Sequence, residues 1–219
     1  MFLLRDNRKI SIISGLLLLG LTLTTGIAVY HVMRQQIEFA LGRGLDVALQ
    51  GKALLIESQV EKSVADTHAL VLRPFLIKSI QELNAEPDNQ SAMQDLMRNV
   101  NSLPEVGFSA AIIYDRHGNA LAQAGQFSEN QNQALSLNKY AHTALIWDEQ
   151  FIVRTSTDVL DEKKQRIGSI VTETKLPKLT RRFSEIRSIG KTGEFILCAP
   201  PEHGMHDMAC LVSQIDGIK

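Results

Sequence analysis

The feature that most constrains this chain is an uncharged stretch near its N-terminus, ISIISGLLLLGLTLTTGIAVYHV, which runs from Ile10 to Val32. Its length is close to the roughly 20 apolar residues that a transmembrane helix needs. The sequence therefore predicts a transmembrane helix over residues 10–32, after a cytoplasmic tip at residues 1–9. A cleaved signal peptide is the alternative, and the small residues at Gly26 and Ala28 give it a weak cleavage site.

The charges that flank this stretch predict its orientation. Arg5, Arg8 and Lys9 precede it, against the single acidic residue Asp6. Because basic residues concentrate on the cytoplasmic side of a membrane helix, we expect a cytoplasmic N-terminus and an extracytoplasmic chain beyond Arg34. No second stretch of comparable length follows, so we expect one crossing of the membrane.

The rest of the composition is typical of a folded protein and excludes several function classes. The chain is 44% hydrophobic and 21% charged, with a net charge of -1, whereas nucleic-acid binders usually carry a basic excess. The GKTG at residues 190–193 resembles the end of a P-loop, but Glu185 stands where that motif needs a glycine. No pair of catalytic groups can be brought together from sequence alone. We predict no enzymatic activity, no cofactor and no bound metal.

A long helix should follow the transmembrane segment, because apolar residues recur every three to four positions from Met33 to about Leu83. The repeating positions are Ile37, Leu41, Leu45, Ala48, Leu55, Ile56, Val60, Val64 and Val71. A period nearer 3.5 than 3.6 favours packing against another helix. We predict that the first half of this helix forms a homodimer and that the second half packs on its own domain, within a helical region over residues 33–106.

Two sequence signals predict where the helices of this region end and begin. Pro74 should end or kink the long helix near Leu72 or Arg73, because the residue before a proline disfavours helical geometry. Asp88 or Asn89 should cap a new helix, since short polar side chains accept from the first free N–H groups.

After Gly107 the apolar period shortens to two, which predicts a sheet over residues 107–176. We expect about five antiparallel strands, each paired with its neighbours in sequence, and an α+β fold with helices on one side. A turn at residues 116–119 should place Gly118 at positive φ. Over residues 177–219 we expect a connecting helix and two further strands.

Six side chains bring aromatic and polar groups into a sheet that is otherwise rich in Ile, Val and Ala. They are Tyr114, Trp147, Arg154, Ser156, Thr172 and Glu173. Small-molecule pockets combine apolar walls with a few such groups, so we predict that these residues bind a small polar metabolite. In the alternative, Trp147 is a core residue, Arg154 is a solvated cross-strand partner of Glu173, and no ligand binds.

The chain resembles a Cache domain in the order of its expected elements, which are a basic tip, a transmembrane helix, a long helix, a second helix and a sheet. Cache domains are the PAS-like periplasmic sensors of bacterial receptors, and the hairpin IIYDRHGNALAQAG and the strand RIGSIVTETKL carry the likeness. The segments IGKTGEFILCAPP and MACL resemble the start of the second module of the double Cache type. That type is found in sensor histidine kinases, diguanylate cyclases and chemoreceptors. The Arg-x-Trp-Tyr pattern of amino-acid-binding members is not met around Trp147, so amino-acid ligands are not implied.

This resemblance implies the extracytoplasmic small-molecule-sensing input region of a bacterial receptor. Such a region would be anchored in the inner membrane, with its bulk in the periplasm, and would act as a homodimer. Its ligand is unknown, and we expect the output domain to lie outside this chain, either in a longer receptor or lost from a truncated gene. The alternative is a membrane-anchored structural or assembly protein whose soluble domain binds another protein.

The only two cysteines, Cys198 and Cys210, enclose the loop CAPPEHGMHDMAC. In an oxidising compartment such a pair usually forms a disulfide, which we predict as a brace between two strands. The alternative is a zinc site that adds His203 and His206, although this spacing matches no common zinc finger.

Overall fold

The structure is a computed structural model that describes residues 3–129, 134–137, 140, 142–184, 196–199 and 210–211. Its contacts divide the chain into two compact units, Met1–Leu54 and Leu55–Lys219. The first unit is helical throughout its described part, and the second contains the sheet.

The first helix, α1, spans Leu3–Val71. Among the described residues it is the one helix long and apolar enough to cross a membrane. All side chains from Ile13 to Val47 are exposed, so none of them is buried in an apolar core of the chain. A lipid phase or another protein is the environment in which such an apolar surface is stable.

Two shorter helices follow where the sequence predicts them. Helix α1 stops three residues before Pro74, and α2 spans Pro74–Ala85 with proline in its first turn, where the missing N–H costs nothing. Helix α3 spans Gln90–Asn101, and Asn89 caps it by accepting a hydrogen bond of 3.1 Å from the Ala92 N–H. A 3₁₀ helix, Leu103–Val106, leads into the sheet.

The sheet has six antiparallel strands, one more than predicted. They are β1 (Ala110–Asp115), β2 (Ala120–Gly125), β3 (Ala134–Ser136), β4 (Thr143–Asp148), β5 (Gln150–Leu160) and β6 (Arg166–Lys175). Their order is β2-β1-β6-β5-β4-β3. The α+β class is confirmed, with a long apolar helix followed by a six-stranded antiparallel sheet.

The predicted neighbour-to-neighbour strand order is wrong at one place, since β1 pairs with β6 as well as with β2. Both hydrogen-bonding edges of β1 are therefore occupied, and the strand lies inside the sheet. Strand β1 reads AAIIYD and is apolar on both of its faces. One edge of the sheet is formed by β2. The other edge is formed by β3, which has only three residues.

The helices cover one face of the sheet. Side chains alternate along a strand, and the set on this face includes Ile113, Ile170 and Val159, which pack on α2 and α3. Further along the same face, Leu145 and Val153 pack with Val60 of α1. Both apolar clusters belong to the second unit.

Two β-hairpins end in the same kind of turn. The carboxylate of Asp115 accepts the His117 and Asn119 N–H groups at 2.8 Å each, and Gly118 takes φ +87 as predicted. Although desolvation acts to raise it, hydrogen bonds from Asn119 and His117 hold the pKa of Asp115 below its usual value.

The second hairpin repeats this turn without a glycine. The carboxylate of Asp161 accepts the Lys163 and Gln165 N–H groups at 2.8 Å each. Lys164 occupies the position of the glycine and takes φ +61, a left-handed conformation that costs a non-glycine residue about 1 kcal/mol or more.

Beyond the sheet, helix α4 spans Pro177–Ser184. Two short strands, β7 (Leu197–Cys198) and β8 (Cys210–Leu211), pair with each other. The predicted disulfide between Cys198 and Cys210 is present. The histidines of the zinc alternative, His203 and His206, lie outside the described residues.

Candidate functional site

The face of the sheet that the helices leave uncovered carries a buried ion pair. Arg154 on β5 lies directly opposite Glu173 on β6, and its Nε donates a hydrogen bond of 2.8 Å to Glu173 Oε1. The Glu173 side chain is only 1% exposed, whereas that of Arg154 is 23% exposed. The predicted cross-strand pairing is therefore present, but the pair is buried, unlike the solvated pair of the alternative interpretation.

A short segment after β2 is fastened to this ion pair through Ser128. The Ser128 N–H donates to Glu173 Oε2 at 3.0 Å, and the Ser128 carbonyl accepts from Arg154 Nη2 at 2.8 Å. The Ser128 hydroxyl donates to Asp148 Oδ2 at 2.8 Å. All three bonds hold the segment against the sheet. The first two also give Glu173 and Arg154 further hydrogen-bond partners, which buried charged groups require.

The same segment forms one wall of an open cleft of about 660 Å³. The cleft is lined by Gln123, Gln126, Phe127, Glu129 and Asp148. Two amides, two carboxylates and one aromatic ring therefore line it, and the centroid of that ring lies 5.7 Å from the Arg154 guanidinium carbon. This set offers several hydrogen-bond acceptors beside one apolar surface, the combination that binds small polar molecules.

The six side chains predicted to line a pocket do not form a single site. Arg154 and Glu173 lie beneath the cleft, but Trp147 and Thr172 project from the opposite, helix-covered face. Trp147 is partly buried and packs edge-to-face on Phe151, with ring centroids 4.8 Å apart. The Thr172 hydroxyl shares a hydrogen bond of 2.7 Å with Thr67 of α1.

The other two predicted residues share the correct face but lie further along it. Ser156 is two positions beyond Arg154 on β5, and Tyr114 pairs with Ser169 on β6. Ser169 lies four residues before Glu173 on β6. Tyr114 is therefore displaced from Glu173 by roughly 13 Å along the strands, at 3.3 Å per residue. Neither residue lines the cleft.

Sequence reasoning missed the residues that shape the cleft. Ser128 and Phe127 lie in a segment without periodicity, so no local pattern marks them as part of a site. Asp148, the last residue of β4, is not among the predicted site residues. The one available signal in the sequence is an acidic residue at the end of a mostly apolar strand.

No protein-family model matches the chain, and no curated protein is significantly similar to it. Among solved structures, the periplasmic domain of LuxQ from Vibrio cholerae is similar at 17% sequence identity, over 75% of this chain and 80% of that one, with a TM-score of 0.30.

Proposed function

We propose that this chain is the extracytoplasmic input region of a membrane-anchored receptor, and that it senses a small polar molecule. The observation that carries the proposal is the continuity of α1. One helix contains the membrane-length apolar stretch and also supplies Val60 and Leu70 to the two apolar clusters of the sheet unit. A change in how the sheet holds α1 is therefore applied directly to the helix that enters the membrane.

The cleft beside Phe127 is the proposed ligand site. Its acceptor-rich lining suits a molecule that carries hydroxyl, amine or amide donors. The segment that forms its wall is bonded through Ser128 to β4, β5 and β6. A ligand that moves this segment would act on Arg154 and Glu173, and Thr172, the residue before Glu173, is bonded to α1.

The membrane orientation can be tested independently of the ligand. We propose that the sheet unit faces the oxidising side of an inner membrane, which the disulfide between Cys198 and Cys210 supports. Alkaline phosphatase fused after Lys219 should be active in a bacterial host, and a green fluorescent protein fused there should be dark. The opposite pattern would place the sheet in the cytoplasm and contradict the proposal.

We also propose that the chain is a homodimer through residues 33–54. The apolar side chains of Ile37, Leu41 and Leu45 are exposed there, and residues four apart share one helix face. Light scattering in detergent should give twice the chain mass of 24.3 kDa, and Leu41→Arg with Leu45→Arg should give a monomer. A monomeric wild-type protein would contradict this part of the proposal.

A ligand screen tests the sensor function itself. The thermal unfolding of the full chain in detergent should shift to higher temperature with at least one small polar compound. If none of a broad library shifts it and crosslinking recovers a stable protein partner instead, the chain is better explained as an assembly protein.

A further inference from the structure

The face of the sheet that the helices cover is crossed by a row of three buried threonines. Thr143 on β4 lies directly opposite Thr155 on β5, which in turn lies directly opposite Thr172 on β6. Directly paired residues project from the same face of a sheet, and the three residues are only 3%, 1% and 0% exposed. The row lies between the apolar cluster that contains Leu145 and the one that contains Ile170.

Helix α1 crosses this row and adds two more buried hydroxyls. Ser63 and Thr67 are 2% and 0% exposed and lie one helical turn apart. The Thr67 hydroxyl donates to the Ser63 carbonyl at 2.9 Å and accepts from the Thr172 hydroxyl at 2.7 Å. Val60 and Leu70 of the same helix belong to the apolar clusters on the two sides of the row. Helix α1 is therefore held partly by apolar contacts and partly by the bond between Thr67 and Thr172.

Three of these five hydroxyls make no hydrogen bond. Those of Ser63, Thr143 and Thr155 have no partner among the described residues and no contact with solvent. About nine in ten buried polar groups do have a partner, and each one without a partner weakens the buried state about fivefold or more. Valine has nearly the shape of threonine and would fill the row without this cost. The row therefore weakens the contact between α1 and the sheet, where an apolar row would strengthen it.

The apolar core of the sheet unit does not depend on most of α1. Of the described residues in the cluster around Ile80 of α2 and Leu96 of α3, α1 contributes only Leu70 and Val71, at its own end. On the other side of the row, Leu179 of α4 is fully buried in the second cluster. Helices α2, α3 and α4 therefore still cover parts of both clusters when α1 is removed.

We propose that the last part of α1, residues 55–71, separates from the sheet while the rest of the sheet unit stays folded, and that the threonine row sets the population of this open state. Opening breaks the bond between Thr67 and Thr172 but exposes the three unpartnered hydroxyls to water, which satisfies them. A two-state contact of this kind has populations that a second event can shift. Because the same helix contains the membrane-length apolar stretch, the open and closed states differ in how that helix is restrained. This device goes beyond the proposed sensing of a molecule in the cleft and does not depend on it.

Thiol labelling of the full chain in detergent measures the opening. Val60 on α1 and Val100 on α3 are both 1% exposed, so Val60→Cys and Val100→Cys place matched thiols on two helices of the same face. The native cysteines form a disulfide and do not react with N-ethylmaleimide. We expect Val60→Cys to be labelled at least about tenfold faster than Val100→Cys. Its rate should be nearly independent of urea below the unfolding transition, because a local opening exposes little surface.

The urea dependence of labelling decides between local and global opening. Equal labelling rates for the two thiols, with the same steep dependence on urea, would overturn the proposal, because α1 would then leave the sheet only when the whole unit unfolds. If Val60→Cys does not fold, Ser63→Cys repeats the comparison with Val100→Cys. That substitution changes one atom at a residue of α1 that is 2% exposed.

Variants of the row, made in the Val60→Cys background, test its role in the opening. Thr143→Val combined with Thr155→Val should slow labelling about tenfold or more, because two unpartnered hydroxyls are removed. Thr172→Val should speed labelling about fivefold, because the bond to α1 is lost. Thr157→Val, at a partly exposed threonine on the same face of β5, is the control and should be labelled like its parent. If the double valine variant is labelled at an unchanged rate, the row does not set the opening and the proposal fails.

Discussion

Replacing Arg154 by methionine should destabilise the protein strongly, because it leaves a buried carboxylate without its cation. Glu173 is 1% exposed and would keep only the Ser128 N–H among its described side-chain partners. Breaking a buried pair by removing one partner typically costs about 3–5 kcal/mol. Because the Arg154 side chain is 23% exposed, we expect the lower end, about 3 kcal/mol, or roughly a hundredfold change in the unfolding equilibrium.

The chain contains a matched control on the same two strands. Arg166 and Asp158 also pair across β5 and β6, at 2.9 Å, but their side chains are 52% and 59% exposed. Exposed pairs contribute about 1 kcal/mol at most, so Arg166→Met should cost much less than Arg154→Met.

Urea unfolding of the full chain in detergent measures both values. The fluorescence of Trp147 is a suitable signal, because this residue is the only tryptophan and it packs on Phe151. The double variant Arg154→Met, Glu173→Leu should recover most of the lost stability, since an apolar pair leaves no buried charge. Equal costs for Arg154→Met and Arg166→Met would refute the assignment of Glu173 as a buried, paired charge.

The remaining predictions concern the helix-covered face and the two hairpins. Thr155→Val should stabilise the protein by about 1 kcal/mol, because its buried hydroxyl has no partner among the described residues. Thr172→Val should destabilise it by a similar amount, because it breaks the bond to α1. Gly118→Ala should cost about 1 kcal/mol through backbone strain alone, since a Cβ there meets no atom within 4 Å, and Lys164→Gly should gain a comparable amount; urea unfolding measures all four. The pKa of Asp115 is lowered on folding, so its contribution to stability should be complete above its unfolded pKa, near 3.8, and lost as the pH falls through the folded pKa. The stability difference between the wild type and Asp115→Asn should therefore shrink below about pH 4, and a difference that stays constant to lower pH would contradict this.

Local features of the fold could be predicted from the sequence because each depends on a few adjacent residues. Pro74 stops a helix by its own ring, Asn89 caps one with its own side chain, and Gly118 tolerates positive φ wherever it stands. The helix break, the helix cap and the hairpin turn follow from these properties alone.

Non-local features could not be predicted in the same way. The pairing of β1 with β6 joins Ala110 to Glu173 across 63 positions, and no local pattern encodes it. Since neighbouring residues of a strand face opposite ways, Thr172 and Glu173 belong to different faces, and only the strand register shows which face meets the helices. Ser128 joins the site through contacts with three separate strands, so its role appears only in the folded chain.

The most direct test of the sensor proposal compares ligand-induced thermal shifts in the full chain and in variants of the cleft. A compound that raises Tm in the wild type should lose most of its effect in Glu129→Ala and Gln123→Ala. Both of these residues are exposed and line the cleft, so neither substitution should disturb the core. The control Gln94→Ala, exposed on α3, should respond like the wild type. If every active compound shifts the cleft variants as fully as the wild type, or if no compound shifts the wild type, the cleft is not a sensing site.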